Sequence, residues 1–199
     1  MVRSTLAACD DLTCDDFLGG KLRIWQPRIG YRAGVDPVIL AASVPAKPGD
    51  TILELGCGVG VASLCIAARV PDVQITGVEI QVDYAALAKR NARENNKAFD
   101  VFTADLRELP ADLRQKRFAH VIMNPPYFDR NTGTPATDTG RDIAFGGDTP
   151  LPDWIGIGAK RVGPRGYLTI IQRMERLPEV LSALEGRLGA IIVRPIAAR

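Results

Sequence analysis

The chain reads as an α/β protein with a doubly wound, mostly parallel sheet, and three observations lead there. From Thr51 to Leu188, apolar runs of strand length alternate with stretches of helical periodicity, the pattern of a parallel sheet wrapped by helices. A glycine-rich turn, Gly56-Cys57-Gly58-Val59-Gly60, joins the first of these strands to a helix. Acidic residues then close the next two strands in order.

The first strand is Thr51-Ile52-Leu53-Glu54-Leu55, and the helical run Val61–Arg69 follows the turn. Glycines let backbone approach a ligand where any Cβ would clash, so a nucleoside cofactor fits there. Val61 stands where the nicotinamide fingerprint Gly-x-Gly-x-x-Gly needs its third glycine, which weakens a dinucleotide reading. Glu54, just before the turn, repels phosphate and suits an ammonium or sulfonium group, so the expected cofactor is cationic. The second strand, Val73–Ile80, carries Glu79 at its end, roughly twenty positions after the turn, where a carboxylate accepts from ribose hydroxyls. A helix over Tyr84–Asn95 puts Ala and Leu on one side and charge on the other. The third strand, Asp100–Leu106, brings Asp105 to a place where it takes an adenine amine. Each acid alone reads first as an ordinary solvated strand end; three in strand order point further.

The fourth strand, Phe118–Met123, runs into Asn124-Pro125-Pro126-Tyr127. Two prolines lack N–H groups and have fixed φ, so they form a stiff wall that offers carbonyl oxygens without competing donors. Asn124 adds a side-chain carbonyl and Tyr127 an aromatic face, a set suited to holding a planar amine. A bare Pro-Pro after a strand is also a common rigid loop start. His120, the single histidine, lies within this strand and reads as structural. Later strands are expected at Gly166–Ile171 and Ala190–Arg194, separated by a helix after Pro178. In sheets of this kind ligands sit beyond the C-terminal strand ends, where Gly56, Glu79, Asp105 and Asn124 converge.

These motifs, over Asp16 to Arg194, resemble the class I S-adenosylmethionine-dependent methyltransferases, within them the branch carrying Asn-Pro-Pro-Tyr. The whole pattern is similar to the bacterial tRNA adenine-N6 methyltransferase family, which acts on the adenine beside the anticodon of a valine tRNA. Phe17–Pro27 and Gly30–Leu40 resemble that family's N-terminal hairpin and first helix. The resemblance implies a Rossmann-like fold in one domain over 1–199, with 1–46 as hairpin and helix and 47–199 as core. It implies S-adenosyl-L-methionine held by Glu54, Gly56, Cys57, Gly58, Gly60, Glu79, Ile80, Asp105, Leu106 and Asn124. Asn124, Pro125, Pro126 and Tyr127 form the catalytic set, in which Asn124 oxygen and the Pro125 carbonyl accept the two amine hydrogens. Tyr127 or Phe128 stacks on an extruded base. Arg32, Gly34 and Asp36 border the methionine end. Asn-Pro-Pro-Tyr also occurs in enzymes that methylate protein glutamine, so a protein or small-molecule amide acceptor remains an alternative, as does a cofactor-binding subunit inactive alone. The resembled fold ends in a seventh, antiparallel strand between the last two, but only Pro195–Arg199 follow here. A truncated chain, or a last strand supplied from elsewhere, is the expectation; unpaired edges would then favour association, and a homo-oligomer is one outcome.

Composition fits this reading. With 46% apolar and 24% charged residues among 199, the chain has material for a substantial core. Apolar runs are too short to span a bilayer, and Met1–Asp10 lacks the apolar centre of a secretory signal, so a cytoplasmic protein is expected. Four cysteines without a Cys-x-x-Cys or histidine partner read as reduced thiols rather than zinc ligands. Net charge of +2 says little about nucleic acid. Locally, Lys21, Arg23, Arg28 and Arg32 interleave with Trp25 and Tyr31, while Asp10, Asp11, Asp15 and Asp16 precede them. Such a mixture grips RNA backbone and stacks on bases, or forms the solvated and packed faces of a hairpin. The Gly-, Thr-, Asp- and Pro-rich segment 128–142 is either a functional loop or a plain surface one. Arg130 and Arg141 meet phosphate in the first case.

Overall fold

The computed structural model describes residues 11–127 and 149–196. Strands β1 (Leu12–Phe17) and β2 (Leu22–Pro27) form an antiparallel hairpin, and a strap over 28–35 leads to α1 (Asp36–Ser43). The sheet follows: β3 (Thr51–Leu55), β4 (Gln74–Glu79), β5 (Phe99–Thr103), β6 (Phe118–Met123) and β7 (Val162–Ile170), in the spatial order β5-β4-β3-β6-β7. All four strand pairings are parallel. Helices α2 (Val61–Arg69), α3 (Val82–Glu94), α4 (Ala111–Gln115), α5 (Leu151–Arg161) and α6 (Leu177–Leu184) complete the fold. Strand order reverses at β3, so the loops leaving β3 and β6 part to opposite sides and open a crevice between them.

Because successive strand residues face opposite ways, the sheet separates two apolar clusters. Ile52, Ile75 and Ile122 pack with α1, α2, α3 and the hairpin, while Leu53, Leu55, Val78 and Met123 pack with Trp154 and Ile155 of α5. Glu54, between Leu53 and Leu55, is turned by the same pleat toward α2.

Three elements differ from the sequence expectation. The third strand stops at Thr103, so Asp105 lies beyond it and caps a 3-10 turn at Leu106–Glu108. β7 starts at Val162 rather than Gly166, with a register shift between Phe118 and His120 that the segment around Gly163 and Gly166 absorbs. Ala190–Arg194 is not a strand: among the described residues its β-branched side chains have no neighbouring strand to pair with, and Ile192 is 72% exposed. Among the described residues β5 and β7 are the sheet edges. His120 is buried, with Nε2 3.0 Å from an Asp50 carboxylate oxygen and its ring stacked on Tyr167.

Candidate functional site

The glycine turn is shaped by what packs beneath it. A side chain at Gly56, where φ is +68°, would place Cβ 2.6 Å from the Trp154 ring. Gly58 also has positive φ, but its open side meets nothing closer than a Tyr31 ring carbon at 3.8 Å. The first glycine therefore serves packing, and the second keeps backbone bare toward the crevice. Cys57 is buried, with its thiol pushed well up by burial, so it presents only main chain. Gly60 ends the turn with φ +90° immediately before α2.

The two glutamates expected to face the cofactor have different roles. Glu54 is 3% exposed and receives hydrogen bonds from the Ser63 amide, at 3.1 Å, and from the Ser63 hydroxyl, in the first turn of α2. Burial raises its carboxyl to about 8, against the lowering effect of those bonds. Glu54 thus fastens the turn to α2 from below. Glu79 accepts from the Gly58 amide at 2.8 Å and the Gln81 amide at 2.9 Å, which ties the end of β4 to the glycine turn. Its carboxyl too is raised by burial. Asp105 accepts from the Arg107 amide at 2.8 Å and pairs with its guanidinium at 2.6 Å, which lowers its carboxyl. Ile80 is half exposed beside Glu79, and Leu106 is buried.

Asn124 follows the last residue of β6, and Pro125 is buried behind it. The Asn124 side-chain oxygen is buried and has no hydrogen-bond partner among the described residues. A buried acceptor left open costs free energy, so a donor from a ligand is the natural completion. Tyr127 donates its hydroxyl to Asp36 at 2.6 Å, and the Arg173 guanidinium lies 5.7 Å from its ring centre. Burial and the Asp36 carboxylate push the Tyr127 phenol far up, so it stays neutral. The Pro126 carbonyl accepts from Arg176 at 3.2 Å and from Gln172 at 3.4 Å.

The strap over 28–35 closes one side. Tyr31 rests on the glycine turn, its amide accepted by the Tyr84 hydroxyl at 2.9 Å, and its phenol is raised to about 12 by burial and by Asp36, Glu54 and Glu79. Arg32 is turned away to Asp15, Thr13 and the Pro27 carbonyl, so it serves the hairpin rather than the crevice. Lys21 and Arg23 are exposed on that hairpin, which sits on α3 and not at the Asn124 turn. Trp25 donates to Glu94 and lies 3.9 Å under Arg90, so its ring is engaged inside the fold. Phe128, Arg130 and Arg141 lie outside the described residues.

Ser63, Gln172 and Arg176 escaped the sequence reading; only tertiary contact brings them to the motif residues. Among the described residues no helix is long and apolar enough to cross a membrane, and no group of three metal-ligating side chains occurs. Cys14, Cys57 and Cys65 are free thiols.

The chain is similar to known methyltransferases. Over 194 residues, 93% of this chain and 73% of the relative, it is 28% identical to a tRNA1(Val) (adenine(37)-N6)-methyltransferase of Porphyromonas gingivalis. With a protein of the same name from a Flavobacteriaceae bacterium it is 33% identical over 115 residues, 56% of this chain and 48% of that one. The chain spans about half the length of the first curated relatives it matches. Among solved structures, a predicted O-methyltransferase of Agrobacterium tumefaciens is 26% identical with a TM-score of 0.58, over 75% of this chain and 67% of that one. An S-adenosylmethionine-dependent methyltransferase of Thiobacillus denitrificans, solved with S-adenosyl-L-homocysteine, shares the fold with a TM-score of 0.51 at 16% identity, over 72% and 50%. A family model, that of the methyltransferase small domain, matches residues 34–140 of the 199, and the chain belongs to that family.

Proposed function

We propose that this chain is an S-adenosyl-L-methionine-dependent N-methyltransferase whose acceptor is an exocyclic amine, adenine N6 of a tRNA. The observation that carries the reading is the buried, unpartnered Asn124 oxygen beside two prolines at the switch of a parallel sheet. The relatives' names support the acceptor, and the family supports methyl transfer. S-adenosylmethionine supplies an already activated methyl group.

The chain's residues then do the following. The bare backbone of Gly58 and the neighbouring Gly56, Cys57 and Gly60 take the cofactor's main body, and Glu79 accepts from its ribose hydroxyls. Asp105, with Ile80 and Leu106 beside it, receives the cofactor's adenine; Arg107 must yield one carboxylate oxygen for this. An adenine amine shares its lone pair with the ring, so it is a poor nucleophile until its hydrogens are held. Asn124 oxygen and the Pro125 carbonyl accept those two hydrogens and draw the nitrogen toward pyramidal geometry. Tyr127, its hydroxyl fixed on Asp36, offers a neutral ring to stack on the base. Proximity and orientation provide much of the acceleration. Phe128, Arg130, Lys21 and Arg23 belong to the proposed RNA contact, and a tRNA acceptor places the protein in the cytoplasm.

Calorimetric titration with S-adenosylmethionine and its demethylated product, followed by radiolabel transfer to bulk RNA and protein, tests this. Binding with label in RNA adenine is the expected result. Label in protein instead would move the acceptor to glutamine, and no cofactor binding would overturn the reading.

A further inference from the structure

The geometry points to Arg176 as a positioning residue that sets the Asn-Pro-Pro-Tyr turn through the Pro126 carbonyl. This rests on the function proposed above.

Arg176 lies in the 3-10 turn Met174–Arg176 that opens onto α6, fifty residues from the motif. One edge of its guanidinium is held by Glu179, with Nε on one carboxylate oxygen and Nη2 on the other, both at 2.9 Å. A fork of this kind fixes the plane of the guanidinium. The remaining nitrogen, Nη1, donates to the Pro126 carbonyl at 3.2 Å. Gln172 adds a longer donor to the same oxygen at 3.4 Å, and its own side-chain oxygen accepts from the Arg173 amide at 2.8 Å. The Pro126 carbonyl thereby receives two donors from one segment, 172–176.

That arrangement has a chemical meaning. A turn with two prolines offers more than one carbonyl to an incoming amine, and only a single pairing gives the geometry for transfer. Engaging Pro126 removes it as a competitor and leaves the buried Asn124 oxygen as the open acceptor. It also fixes the Pro126–Tyr127 peptide plane, hence the height of the Tyr127 ring, whose hydroxyl is anchored at its far end by Asp36. Arg176 touches neither reacting group; it acts through the turn.

Arg176→Ala, Arg176→Lys and Glu179→Gln test the assignment by steady-state transfer of labelled methyl to adenine-containing tRNA, at a temperature well below each variant's melting point. Arg176→Ala is expected to lower kcat by about a hundredfold, the scale of a misplacement of about 1 Å, with the S-adenosylmethionine Kd unchanged. Glu179→Gln falls between it and the parent. Lysine keeps a donor but not the fork, and recovers only part of kcat. Millimolar methylguanidinium raises kcat of Arg176→Ala and not of the parent, which loss of folding alone would not produce. Unchanged kcat in Arg176→Ala, or a loss that follows melting temperature without guanidinium rescue, overturns the assignment. Should the parent transfer no methyl group, the proposed function fails, and amide exchange at Tyr127 decides the positioning role by itself. Faster exchange in Arg176→Ala upholds it, and equal exchange overturns it.

Discussion

Among the described residues the Asn124 side-chain oxygen is a buried acceptor without a partner, a cost that the proposed amine acceptor would offset on binding. Asn124→Ala removes the acceptor without touching the glycine turn. Its kcat is expected to drop by about a hundredfold or more, the usual scale for one preorganised group, while calorimetry shows cofactor affinity preserved. Glu54 makes the opposite kind of demand. Its carboxyl titrates near 8 in the folded chain and near 4.5 when exposed, because burial outweighs the bonds from Ser63. Between those pH values the folded chain holds a proton that the unfolded chain has released, so stability is greatest below about 4.5 on this account and declines as pH rises toward about 8. Urea unfolding from pH 5 to 8.5 should show that decline, and Glu54→Gln should flatten it. A slope unchanged by the substitution would assign the effect elsewhere.

At the scale of elements, the hairpin is attached by side chains that imitate backbone. Asn91 of α3, fully buried, accepts from the Trp25 amide at 2.8 Å and donates to the Trp25 and Val59 carbonyls. Asn95, one turn later, repeats the pattern on Arg23. One amide therefore joins the hairpin, α3 and the glycine turn. Asn91→Ala is expected to cost about 2 kcal/mol or more, since it leaves several buried groups unmatched, and to speed tryptic cleavage at Lys21 and Arg23. Native cleavage kinetics would show the hairpin securely held by other contacts. Such couplings explain what the sequence could and could not disclose. β3, β4, β6, α2 and α3 were legible because their apolar periods are clean and the glycine turn and Asn-Pro-Pro-Tyr are contiguous. α5 was not, because Pro152, Gly156 and Gly158 lower its apparent helicity. Gly158 is small for packing: a Cβ there would collide with the Met123 side chain and lie 3.1 Å from Leu168. Ala190–Arg194 misled in the other direction, since its β-branched run has strand composition but no strand beside it. At the site, Asp36, Gln172 and Arg176 meet the motif only through the fold, and spacing carries no trace of that.

For the molecule as a whole, the two edges of the sheet among the described residues differ in what flanks them. The edge at β5 lies beside the basic side chains Lys89, Arg93 and Lys97, whose charge discourages another strand from pairing there. The opposite edge, β7, leaves Tyr167 52% exposed, and further along the chain Ile191, Ile192 and Val193 are also exposed. Apolar surface of that kind promotes self-association. Light scattering over a concentration series is expected to show reversible association, and Ile192→Lys to move its onset to higher concentration. A parent chain that stays monomeric throughout would mean that this surface is inert.

The order of residues in the Asn-Pro-Pro-Tyr turn also bears on how long the protein keeps its side chains intact. Asparagine ages by attack of the following residue's backbone nitrogen on its side-chain carbonyl, which closes a succinimide and releases ammonia. At Asn124 the following residue is Pro125, whose nitrogen has no hydrogen to lose. The side chain is thus shielded from spontaneous conversion to aspartate, a change that would replace a neutral amide with a fixed negative charge.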